Sequence, residues 1–135
     1  MSELYDAMGI SAYGMKAQST RVRVISENLA NASTAAPDPN SDPYARKTLT
    51  FKNEMDRNLG HNTVRVDKIR QNHNVDYPVK YMPDHPGADE RGYVKMPNID
   101  PLIEAMDMKE ATRSYEANLG MIDQSRNMVL QTIDL

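Results

Sequence analysis

The sequence predicts an α+β protein. Long N- and C-terminal helices pack as a coiled coil, with a small β-rich, proline-containing unit between them. Three observations support this reading. All eight prolines fall between Pro37 and Pro101, which confines helix-breaking residues to the middle of the chain. Apolar residues recur at three- and four-residue steps in both proline-free ends. Alternation with a period of two occurs only between them. The expected segments are an N-terminal helix with its polar end over 1–34, a linker and β-rich middle over 35–100, and a C-terminal helix over 101–135.

In the first segment, Leu4, Met8, Ser11, Met15, Gln18, Val22, Ile25 and Leu29 are spaced alternately by four and three. This is the heptad pattern of a helix packed against another helix. At about 1.5 Å per residue, a helix over 4–29 is roughly 39 Å long. Gly9 and Gly14 each cost about 1 kcal/mol in a helix interior, so a bend or a frayed start is expected near them. The small residues Ala7, Gly14 and Ala17 admit a close neighbour. After Leu29 the stretch Ala30-Asn31-Ala32-Ser33-Thr34 ends the helix, and its polar side chains can hydrogen-bond free backbone groups there.

The last segment opens with Asp100 as a cap and Pro101 in the first turn, where a proline has no helical N–H to lose. Met108, Ala111, Tyr115, Asn118, Ile122, Ser125 and Val129 form one stripe. Ala117, Met121, Gln124, Met128 and Leu135 form a second beside it. Two stripes imply burial against more than one neighbour. The apolar positions Leu4, Met8, Met15, Val22, Ile25 and Leu29, with Met108, Ala111, Tyr115, Ile122 and Val129, are the expected subunit-interface seams. A single helical hairpin cannot cover both stripes, and the remainder would be adhesive in a monomer. A polymer in which copies cover one another resolves this.

In the middle, Leu49 and Phe51, then Val64 and Val66, then Val75, Tyr77, Val79 and Tyr81 alternate with polar residues, and Tyr93 begins a last short stretch. These read as strands with one buried face, with Pro78 forcing an edge or a bulge. Turns are expected at Asn58-Leu59-Gly60, Pro83–Gly87 and Arg91-Gly92.

Composition excludes several function classes. Sixteen Lys+Arg against nineteen Asp+Glu give a net charge of −3, which lacks the basic footprint of a nucleic-acid binder. The absence of cysteine rules out disulfides and thiolate chemistry. No apolar run approaches the roughly 18 residues of a membrane helix, so membrane insertion is not expected. The N-terminus has no basic, then apolar, pattern of a cleaved signal. His61, His73 and His85 recur every twelve residues, a spacing that builds no metal site by itself. Asp84, His85, Asp89 and Glu90 form the best local cluster of ligand types, in what reads as a turn. No phosphate-binding glycine motif or nucleophile elbow is present. The expectation is a protein that is not an enzyme and has no cofactor.

The Ala30-Asn31-Ala32-Ser33-Thr34 stretch resembles the signature shared by the axial proteins of the bacterial flagellum, its rod and hook proteins. Its signature positions are Ala30, Asn31 and Thr34. A second block, Arg113-Ser114-Tyr115-Glu116-Ala117-Asn118, and a third over 85–98, resemble the C-type proximal rod family in particular, over the whole chain. Arg113, Tyr115, Glu116 and Asn118 are the signature positions of the second block. The longer linker before Pro43-Tyr44 also resembles the C-type, while Ala45 stands where such proteins often carry a basic residue.

The resemblance implies a homo-oligomer within a hetero-polymer. The chain would be exported by the flagellar type III apparatus without a cleaved signal and assembled into the rod that crosses the periplasm. Terminal helices would form an inner coiled-coil layer and the β-rich middle an outer part. Implied partners are other rod proteins, the adaptor joining rod to MS-ring, and the P-ring. Two other readings are a soluble coiled-coil adaptor or chaperone and a small metal-dependent enzyme using His85. An adaptor rarely needs a proline-rich β middle, and an enzyme would hold stoichiometric metal that is lost on His85→Ala.

Overall fold

A computed structural model describes residues 1–135. The element order is α1 (Ser2–Ala30), β1 (Lys47–Asp56), β2 (His61–Gln71), β3 (Val79–Tyr81), β4 (Tyr93–Lys95) and α2 (Pro101–Ile133). The fold is therefore α+β, with two long terminal helices and a middle of two separate two-stranded sheets, β1–β2 and β3–β4. Two compact units share these elements. The first comprises 1–23, 49–68 and 108–135; the second comprises 24–48 and 69–107.

In the first unit α1 and α2 run antiparallel. A Cβ on Gly14 would lie 2.9 Å from the Asn118 carboxamide, and seven residues along α1, Arg21 pairs with Glu110 at 3.5 Å, eight residues back along α2. These contacts fall one position before Met15 and Val22 of the expected heptad seam. The two glycines do not fray the start of α1, which is continuous from Ser2 to Ala30. Their missing side chains are filled by packing: the Leu59 methyls occupy the space at Gly9, and Asn118 occupies the space at Gly14. Tertiary contact outweighs helix propensity of about 1 kcal/mol per glycine. Ala17, Ala111 and Val129 form the apolar interior, with Ser11, Thr63 and Ser125 buried among them.

The β1–β2 hairpin is longer than the sequence pattern suggests, at ten and eleven residues. Its four-residue connection forces antiparallel pairing. The connection is built by Asp56, whose carboxylate accepts the N–H groups of Asn58 (2.9 Å) and Leu59 (3.1 Å), and by Gly60 at φ 71°. Phe51 and Val64, expected on a buried face, are more than a third exposed.

In the second unit β3 and β4 pair antiparallel, Tyr81 opposite Tyr93, with the two rings edge-to-face at 5.4 Å. The expected strand over 75–81 shrinks to three residues because Pro78 has no N–H to donate; its carbonyl instead accepts from Met96 at 2.8 Å. The alternation also points outward there. Val79 and Tyr81 are exposed, while Val94 on the opposite face is completely buried. The linker packs beneath: Ala36 N–H donates to Lys95 O at 3.1 Å, and a Cβ on Gly87 would lie only 2.0 Å from the Ala36 carbonyl. Asp100 caps α2 by accepting Leu102 N–H at 2.9 Å.

Candidate assembly surfaces

The end of α1, in the second unit, is organised by a residue that sequence reasoning did not single out. Asn28 is 1% exposed and uses its whole carboxamide. Its Nδ2 donates to the Lys47 carbonyl (2.8 Å) and to Glu104 Oε2 (3.3 Å). Its Oδ1 accepts the Lys47 N–H (2.9 Å) and the Tyr44 hydroxyl (2.9 Å). Lys47 thus meets a side-chain amide where a strand would meet a backbone one. Glu104, also 1% exposed, is paired with the Arg46 guanidinium, which reaches Asp107 as well at 3.6 Å. A buried carboxylate requires such partners, since an uncompensated one is strongly destabilising. Burial pushes the Tyr44 phenol above its usual range, the nearby Lys47 charge opposing and Glu27 and Glu104 reinforcing that shift. Asn28 stands three and four residues after Ile25 and Val24, both buried, so helical spacing alone marks it as inward-facing.

The signature residues themselves act locally. Asn31 Nδ2 donates to the Glu27 carbonyl at 2.8 Å, and its Oδ1 accepts from the Thr34 hydroxyl at 3.2 Å. Thr34 N–H closes the turn on the Asn31 carbonyl at 3.1 Å. Ala30 and Thr34 are exposed. Ala45 is buried and its carbonyl accepts from Gln71 at 3.0 Å, so no long basic side chain fits there.

In the first unit a second polar cluster locks the hairpin to α1. Tyr13 donates its hydroxyl to Asp56 at 2.8 Å, Arg65 pairs with the same carboxylate at 3.0 Å, and the Arg65 guanidinium lies 3.7 Å over the Tyr13 ring. The Tyr13 hydrogen bond, then those from the loop amides and the Arg65 charge, hold the Asp56 carboxyl below its usual value.

The expected interface residues divide by exposure. Ile25, Ala111 and Val129 are buried within the chain itself, while Leu4, Met8, Met15, Val22, Leu29, Met108, Tyr115 and Ile122 are half-buried. Val22 and Tyr115 line a shared cavity of about 270 Å³ with Ser19 and Thr112. Asn118 fills the space at Gly14, whereas Arg113 and Glu116 face solvent. The second stripe of α2 has no partner: Ala117, Met121, Gln124, Met128 and Leu135 are all exposed.

The polar groups of the His85 region are used in turns. His85 Nδ1 accepts the Gly87 N–H at 2.9 Å, and the Asp89 carboxylate accepts from Arg91 (2.9 Å) and Tyr93 (3.0 Å). No three His, Cys, Asp or Glu side chains are grouped to hold a metal ion. No helix is long and apolar enough to cross a membrane.

Two long terminal helices with an apolar surface that the chain covers only in part describe a subunit of an assembly. Residues 8–36 match the family described as flagella basal body rod protein, and residues 90–135 match the flagellar basal body rod FlgEFG protein C-terminal family. The chain is 47% identical to the flagellar basal-body rod protein FlgC of Agrobacterium fabrum, covering 100% of this chain and 96% of that protein. It is 36% identical to FlgC of Aquifex aeolicus, over 99% and 98% of the two chains, and 34% identical to FlgC of Escherichia coli, over 98% and 97%. The chain belongs to the FlgC family of flagellar basal-body rod proteins. Members of that family are structural proteins, not enzymes, and this chain is a structural rod subunit.

Proposed function

We propose that the chain polymerises through its terminal helices into the proximal rod, as part of the torque-transmitting shaft. Helices bundled lengthwise as a coiled-coil inner layer supply stiffness, and the β middle contributes outer, lateral contacts. The half-buried positions Leu4, Met8, Met15, Val22, Leu29, Met108, Tyr115 and Ile122 become fully buried on assembly, around interiors already closed by Ile25, Ala111 and Val129. Ala30, Asn31 and Thr34 sit where the chain leaves the inner layer, and Arg113, Tyr115, Glu116 and Asn118 sit on the helix that forms it. The partners are further copies, other rod proteins, the adaptor that joins rod to MS-ring, and the P-ring around the shaft. The subunit reaches the periplasm through the flagellar type III export apparatus without a cleaved signal.

The observation that supports this reading is the unpartnered α2 stripe, with Met121 51% and Met128 43% exposed. An apolar stripe of this kind on a lone chain signals an interaction surface. The double variant Met121→Asp, Met128→Asp tests it in a deletion strain complemented by the variant. Both positions face solvent, so the isolated chain should keep its helix content by circular dichroism. Basal bodies should lack rods and the cells should be non-motile. Normal rods and swimming in the variant would overturn the reading.

A further inference from the structure

Resting on the polymer reading above, we propose that the α2 stripe of one copy docks into the groove between α1 and the β1–β2 hairpin of the next copy. The groove lies within the first unit and has a volume of about 290 Å³. Ala17, Val64 and Val66 line it, with Lys16 and Thr20 on its α1 side and, on its hairpin side, Lys52 and Glu54, which pair with each other at 3.1 Å. Arg65 also lines it but is held by Asp56 and Tyr13. Lys16 is exposed and carries a charge with no partner in the chain.

The occupant follows from symmetry and chemistry. A stripe that packed on its own copy would make a closed, two-fold dimer, whereas a filament needs two different surfaces that meet head to tail. The groove and the stripe are two such surfaces. One charge on each surface is left to pair: Lys52 and Arg65 are held by Glu54 and Asp56, so Lys16 is the uncompensated cation of the groove, while residues 101–135 carry three basic and six acidic residues and Glu116, beside the stripe, is exposed and unpaired. The stripe also has a glycine that nothing inside the chain explains. Gly9 and Gly14 are filled by neighbouring side chains, but a Cβ on Gly120 would meet nothing within 4 Å. Gly120 lies between Ala117 and Gln124, so a second copy can approach the α2 backbone closely at that point. The flexible methionines that follow Gly120, Met121 and Met128, adapt to an irregular groove.

The chain has no cysteine, so introduced thiols report contacts without background. Two single variants, Lys16→Cys and Ala117→Cys, are co-expressed in a deletion strain, and isolated basal bodies are oxidised and run without reductant. The expected result is a covalent dimer in the mixed strain and none in either single-variant strain. A dimer formed by Ala117→Cys alone would show a two-fold contact and overturn the proposal. Intact rods with no dimer in the mixed strain would overturn it too. Absence of the tagged wild-type chain from basal bodies would instead defeat the broader polymer reading. Charge reversal gives a second measurement: Lys16→Glu should reduce swimming severalfold and Glu116→Lys should restore it in the double variant. No restoration counts against the docking.

Discussion

Asn28 carries more of the second unit than any signature residue. One carboxamide joins the end of α1 to Tyr44, to the first residue of β1 and to Glu104 on α2. Removing it leaves the Lys47 backbone groups and the Glu104 carboxylate short of partners in a buried site, and each orphaned group costs about 1–3 kcal/mol. Asn28→Ala should therefore lower unfolding free energy by roughly 2–4 kcal/mol, read from a denaturant midpoint. Asn28→Asp keeps the shape but faces Glu104 with a second anion, so it should not rescue the loss. Asn31 and Thr34 bond mainly to each other and to the last turn of α1, so their substitution should cost less. The family signature and the structural hub are neighbours in sequence but do different work.

At the level of elements, three glycines in helices behave in two ways. Gly9 and Gly14 are occupied sites, and Gly120 is an open one. Gly120→Ala should raise the stability of the isolated chain by about 0.5–1 kcal/mol, because alanine is the better helix former and meets nothing. Gly14→Ala should give no such gain, since its methyl must displace an Asn118 carboxamide that is itself bonded to the Ser114 carbonyl at 2.9 Å. Thermal melts of the two variants beside the parent chain test this. Equal gains would mean that Asn118 does not hold its place. The heptad pattern located both helices, but the face of α1 that meets α2 is rotated by one residue from the apolar seam. Small and polar residues set that register, and hydrophobic spacing does not report them.

On the scale of the whole molecule, each unit has a turn closed by an aspartate. Asp56 holds the β1–β2 connection and Asp89 holds the turn before β4. Both carboxyls are held below their usual value of 3.8, Asp56 chiefly by the Tyr13 hydroxyl and Asp89 chiefly by the Tyr93 amide. The unfolded chain then binds more protons than the folded one at mildly acid pH. Their contribution to stability is complete above about pH 5 and is lost as pH falls through their lowered folded values. Unfolding midpoints measured between pH 6 and pH 2 should drop below about pH 4, and Asp56→Asn should flatten part of that drop. A midpoint unchanged down to pH 2 would contradict the geometry of both turns.

Proline placement and the two helical periods were enough to establish the α+β order, the bounds of both helices to within a few residues, and the presence of a second, uncovered stripe on α2. These are local properties, set by backbone restriction and by which side of a helix is apolar. The membership of Asn28, Tyr44, Arg46 and Glu104 in one cluster was beyond such reasoning, because residues up to 76 apart in sequence meet there. Strand burial does not follow from alternation either: two-stranded sheets leave a face open, so Val79 and Tyr81 alternate with polar residues and still point to solvent. Alternation specifies that a strand has two faces; which of them is covered depends on what packs against it, and only the folded chain supplies that.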